Sequence, residues 1–118
     1  MSTFEDIVRD RENPVIQVDH LGTIQSVNEP FTRVFGWTAR ELEGEPLTTI
    51  LPPGLRDAHN LGFSRYLTTG ESTVLGQSLD LRILLPDGLL AEAEHFIQVG
   101  DGPDGRARFA ARIVPKQA

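Results

Sequence analysis

His59 and His95 are the two residues of this chain whose setting could give them chemistry. At the helical angle per residue, Leu55, His59, Gly62, Phe63 and Tyr66 share one face of the segment Leu55 to Glu71, while Arg56, Asp57, Asn60 and Ser64 fall on or towards the other. His59 thus faces inward on an otherwise apolar stripe. Counting by two along Leu89 to Val99, Ala91, Ala93, His95, Ile97 and Val99 lie on one face, and Leu90, Glu92, Glu94, Phe96 and Gln98 on the other. The charged face is the solvated one, so His95 also faces inward, among small neighbours. Neutral imidazoles in such places can ligate a metal centre or exchange hydrogen bonds with a polar small molecule. Each could equally be a core histidine bonded to a backbone carbonyl, and a bulge would turn Phe96 or Leu90 inward in place of His95.

The elements that position these residues follow from punctuation. Residues 3 to 11 place Phe4, Ile7 and Val8 on one side of a short helix that Asn13-Pro14 ends. It needs a surface to lie on, its own domain or a second copy of the chain. Val15 to Asp19 and Thr23 to Val27 read as a hairpin around His20-Leu21-Gly22, with His20 exposed in the turn. Asn28 caps a helix with Pro30 in its first turn and Phe31, Val34 and Phe35 inward. Thr38 and Glu41 form a capping box, and Pro52-Pro53-Gly54 breaks the chain before the long helix, which Gly70 ends. Ser72 to Ile83, Leu89 to Val99 and Arg106 to Val114 read as strands joined by Pro86-Asp87-Gly88 and by a looser turn over 100–105. Two strands, several helices and three further strands predict an α+β domain, a five-stranded antiparallel sheet with short helices and one longer helix on one face.

Within the long helix, Gly62 packs nothing, so it either admits another backbone or leaves room beside His59. Two alanines, Ala91 and Ala93, on the strand opposite favour a cavity over a filled core. Arg65 reads as a solvated arginine and Trp37 as a packing anchor.

Composition narrows the function. A length of 118 residues fits one domain. The net charge is −6, from 17 acidic and 11 basic residues without a basic cluster, so neither nucleic acid nor an anionic membrane is an expected partner. The absence of cysteine excludes disulfides, thiolate metal sites and cysteine-adduct flavin photochemistry. No signal peptide or membrane-length apolar run is present, and the expected location is the cytoplasm. Without a phosphate loop, metal-spaced cluster or nucleophile elbow, catalysis is not expected.

The element order, together with Asn28-Glu29-Pro30-Phe31, Phe35-Gly36-Trp37, Glu41-Leu42-Glu43-Gly44 and the Pro86-Asp87-Gly88 hairpin, resembles a PAS domain over almost the whole chain. The resemblance implies a helix over 1–13 preceding a PAS domain over 14–116. It also implies a sensory and dimerising module of a bacterial-type signalling protein, a homodimer with a downstream effector in cis or in trans.

His59, Arg65-Tyr66, a following Thr and the Leu75-Gly76 step are similar to one subset, the haem-binding PAS domains of bacterial oxygen-sensing histidine kinases. By that resemblance His59 matches the proximal haem ligand and Arg65 the residue near a haem propionate, while Leu79 stands where the subset has its distal arginine. A pair of inward histidines would suit a six-coordinate haem.

The leading expectation is an unidentified small ligand between the central helix and the sheet, with His59, Gly62, Arg65, Leu79, Ala93, His95 and Ile97 around it. A haem-based gas or redox sensor with His59 as iron ligand is the alternative. A filled-core dimerisation or docking module is the third.

Overall fold

The computed structural model describes residues 2–70 and 74–116. The two β-rich runs around Gly22 pair as β1 (Val15–Val18) and β2 (Ile24–Val27), closed by an Asp19 side chain that accepts the Leu21 and Thr23 N–H groups at 2.9 Å each. With β3 (Ser78–Leu84), β4 (Leu90–Asp101) and β5 (Ala107–Pro115) they form one antiparallel sheet in the order β2-β1-β5-β4-β3. The five-stranded α+β architecture read from the sequence is therefore the one adopted.

Four helices follow the capping signals. α1 (Phe4–Arg9) begins at Thr3, α2 (Glu29–Phe35) at Asn28, α3 (Ala39–Leu42) at the Thr38 and Glu41 capping box, and α4 (Pro53–Thr69) one proline after Pro52. A 3-10 turn over Leu47–Ile50 leads into α4. Pro53, read as part of the break, is instead the first residue of α4, where its missing N–H leaves no bond unmade. Gly70 ends α4 in the left-handed conformation (φ 75°), as its position suggested.

One boundary and one exposure differ from the sequence reading. β3 starts at Ser78 rather than Ser72, and residues 71–73 lie outside the described ones. Before it, Leu75 bridges Ile97 in the parallel sense and the Gly76 N–H donates to the Ile97 carbonyl at 2.9 Å. The chain turns at Gly76 (φ 74°) and only then enters the antiparallel ladder. His20, expected in solvent, is half-buried, because the turns at the ends of β1 and β4 lie side by side and the Arg106 guanidinium donates to its Nε2 at 3.1 Å.

The core fills one part of the sheet's inner face. Phe31, Phe35, Leu42 and Ile50 pack with Ile16, Ile24, Ile83, Ala93 and Ile113, and the Trp37 indole N–H donates to the Leu84 carbonyl at 2.8 Å beside them. Trp37 is the anchor its uniqueness suggested. α1 lies across the opposite face, where Ile7 is fully buried with Val15 and Ala110 against Phe4, Val8 and Phe96. Of the two surfaces open to this helix, its own domain is the one it covers here.

Asn28 joins these parts. Its Oδ1 accepts from the Phe31 and Val15 N–H groups at 3.0 and 2.9 Å, while its Nδ2 donates to the Asn13 and Asp10 carbonyls at 2.8 and 3.2 Å. One side chain caps α2, starts β1 and holds the link from α1.

The fit of α1 is close at Gly100, where a Cβ would overlap the Phe4 ring. Gly100→Ala should therefore lift Phe4 from the sheet and cost about 1–3 kcal/mol, the usual cost of overpacking. Urea unfolding of the variant, with Phe4→Ala and the double variant beside it, checks this. If the penalty is the same in the Phe4→Ala background, the clash is not its source.

Candidate functional site

α4 meets the sheet differently from the other helices. None of its described side chains is fully buried, although it is 17 residues long. It rests on rings. His59 stacks on Phe63 (centroids 5.9 Å, planes 11° apart), Phe63 meets Phe109 of β5 at 5.4 Å, and Tyr66 meets the same ring edge-on at 5.4 Å. Between these props and the 3-10 turn lies a cavity of about 460 Å³.

The strand registers compose its floor. Leu79 of β3 pairs His95 of β4, which pairs Ile113 of β5. Ile97 pairs Ala111, which pairs Ile16 of β1. These two rows, with Leu81, Val18 and Phe109, line the cavity from the sheet side, and Leu55, His59, Gly62, Phe63, Arg65 and Tyr66 line it from α4.

Of the residues that sequence reasoning singled out, His59, Gly62, Arg65, Leu79, His95 and Ile97 thus surround one space. Ala93 lies elsewhere, fully buried in the packed core. Its neighbour across the ladder, Leu81, takes the wall position. Gly62 fronts open space, since a Cβ there would meet nothing within 4 Å. It leaves room rather than admitting another backbone.

The wall contributed by β5 was not singled out beforehand. Its signal was present in the alternation of Phe109, Ala111 and Ile113 with Arg108, Ala110 and Arg112, the same period-two argument that brought His95 inward.

Both histidines are electrostatically poised as neutral groups. His95 is only 5% exposed, and burial pushes its pKa down to about 4, with the Leu81 backbone pulling in the other direction. Burial also lowers His59, against the opposing influence of the Asn60 side chain. His59 Nδ1 and His95 Nε2 are buried without a hydrogen-bond partner. Orphaned polar atoms of this kind each cost on the order of 1–3 kcal/mol, so they mark places that a ligand or ordered water would fill.

The shifts carry a pH signature. A histidine whose folded pKa is depressed stabilises the fold fully above its unfolded pKa, near 6.5, and loses that contribution as pH falls through the folded value near 4. Stability should drop between about pH 6.5 and 4, with His95 accounting for up to roughly 3 kcal/mol. His95→Leu should flatten most of that slope in urea titrations at a series of pH values; an unchanged slope would refute the assignment. At neutral pH, Gly62→Ala should stabilise the domain by up to about 1 kcal/mol, because helix propensity improves and nothing is displaced. A lower thermal midpoint for this variant would show that the space is not there.

Comparisons with known proteins bear on this geometry. The family model described as "PAS fold" matches residues 3–106. An uncharacterised protein from Azorhizobium caulinodans is 36% identical over 101 residues, covering 85% of this chain and 14% of that protein. The sensor protein FixL from Bradyrhizobium diazoefficiens is 32% identical over 62 residues, covering 52% of this chain and 12% of its own length. The chain thus spans only about an eighth of these relatives. A PAS domain from Desulfitobacterium hafniense superimposes with a TM-score of 0.72 at 18% identity, covering 89% of this chain and 93% of that one. Among the described residues no helix is long and apolar enough to cross a membrane. With its sheet order, helix positions and residues 3–106 all matching one family, the chain belongs to the PAS domains, the sensory modules of signalling proteins.

Proposed function

We propose that this domain senses a small molecule held between α4 and the sheet, and that it works as a cytoplasmic homodimer coupled to an effector in cis or in trans. The observation that carries the reading is the cavity of about 460 Å³ with two neutral imidazoles in its walls, each with one buried ring nitrogen left without a hydrogen-bond partner. Its size falls within the range of small-molecule sites, and its lining is mainly apolar with a few polar groups, as such sites require. A filled-core docking module would leave no such space. Signalling would proceed by population shift, the ligand favouring whichever arrangement of α4 and the sheet it binds more tightly.

A haem-based sensor is the second reading, and His59 together with the 32% identity to FixL favours it. The donor set fits in part. His59 would supply a nitrogen ligand to the iron, the exposed Arg65 would pair with a propionate, and the apolar walls suit a porphyrin. Leu79 offers no hydrogen bond to a bound gas, but its partner across the ladder is His95, which supplies a polar group one strand away. Bound iron would contribute gas binding or electron transfer.

Absorption spectra with haemin separate the two readings. A Soret band that His59→Ala abolishes, in a variant that remains folded by circular dichroism, makes this a haem sensor. A spectrum equal to that of free haemin removes the haem reading. Gly62→Leu addresses the cavity itself. It should fill space beside His59 and weaken uptake of any cavity ligand at least tenfold while leaving the fold intact.

A further inference from the structure

We infer that the cavity selects uncharged, largely apolar molecules that carry a hydrogen-bonding N–H or O–H group, and that His95 reads that group. The inference rests on the proposal that the cavity binds a ligand, and it names the class.

The lining disfavours charge. Among the described residues that line the cavity none is Asp or Glu, and the one permanent cation among these, Arg65, is exposed at the rim. A carboxylate or ammonium carried into the interior would lose its hydration and meet no opposite charge, a cost that apolar contact does not offset. The two histidines that line the cavity, His59 and His95, are held neutral by burial.

The lining also leaves hydrogen-bonding capacity unused. His95 lines the cavity between Leu79 and Ile113 of the ladder, and its orphaned Nε2 is closed to water, so a small turn of the ring is what presents it to a ligand. A neutral imidazole nitrogen is either an acceptor or a donor, and a ligand group that reciprocates would form its bond where water competes little. A ligand of the same shape without that group would leave Nε2 orphaned and forgo this gain.

Its shape favours a flat ligand. The rings of His59, Phe63 and Tyr66 on α4 and of Phe109 on β5 form a connected aromatic surface from helix to sheet, while Ala111 and Gly62 provide depth. A flat ring system can lie against that surface and direct a polar edge towards β4.

A matched set of probes tests this on the protein as it stands. Indole has an N–H on a flat bicyclic frame, indene has the same frame without it, and indole-2-carboxylate adds a charge. Titrations followed by calorimetry, and by ¹⁵N shifts of the histidine rings, should show indole binding with a perturbed His95 ring. Indene should bind about tenfold more weakly, as the loss of one buried hydrogen bond predicts. The carboxylate should bind more weakly still.

His95→Phe should reduce indole to the affinity of indene without weakening indene itself, and His95→Leu repeats the comparison should the phenylalanine variant fail to fold. Equal affinities for indole and indene, or tighter binding of the carboxylate, would overturn the selectivity while leaving the cavity as a binding site. If no probe binds or perturbs either ring, the ligand-binding reading fails, and the selectivity with it.

Discussion

The cavity exists because α4 is held by rings at a distance from the sheet. A continuous apolar stripe would draw a helix of this length into close packing, but the α4 face offers Gly62 in its middle and a histidine one turn earlier. Contact is concentrated at Phe63 and Tyr66 against Phe109, and at Gly22, where an added Cβ would stand 3.5 Å from the Phe63 ring. The N-terminal end is tied by the Arg56 guanidinium, which donates to the Leu51 carbonyl at 3.3 Å. A helix with so few buried side chains opens at less free energy than the sheet beneath it, which suits a wall that must admit a ligand.

The space is open to solvent along the exposed side of α4, where Ala58, Gly62 and Arg65 line it, so water or ligand occupies it. Affinity then depends on how poorly water satisfies the walls. Against Leu79, Ile97 and Ile113 it makes no hydrogen bonds, and near the two imidazoles it makes only a few.

Much of this was legible in the sequence because it rests on local rules. Capping residues Asn28, Thr38 and Gly70 located helix ends, and period-two counting placed His95 and Ile97 on the inner face. What failed to read depended on distant pairing. Ala93 has the same parity as His95, yet lies in the packed core, since position along a strand decides which helix stands above it. The late start of β3 follows from the bridge between Leu75 and Ile97, and the half-burial of His20 from two turns brought together by the sheet. Neither pairing leaves a mark within its own stretch of chain. The role of α1 was open for the same reason, because an apolar stripe of Phe4, Ile7 and Val8 does not name the surface that covers it.

β5 connects the cavity to that surface. Phe109, Ala111 and Ile113 look into the cavity, while Ala110 and Arg112, alternating with them, lie beneath α1. Arg112 donates to the Asp10 carboxylate at 2.7 Å and to the Ser2 hydroxyl at 2.9 Å, with both members of the ion pair largely shielded. Burial alone would raise the Asp10 pKa. Hydrogen bonds from the Asn13 side chain, the Asn13 and Glu12 backbone and Arg112 outweigh that effect and bring it to about 2, so the pair stays ionised at any physiological pH. Because neighbouring residues of one strand serve the two faces, a ligand that shifts β5 relative to β1 and β4 must move the seat of α1 as well. The extent of that movement is bounded by the ligand's preference for one arrangement over the other, and the neutral imidazoles, unsatisfied until something meets them, are where such a preference can arise.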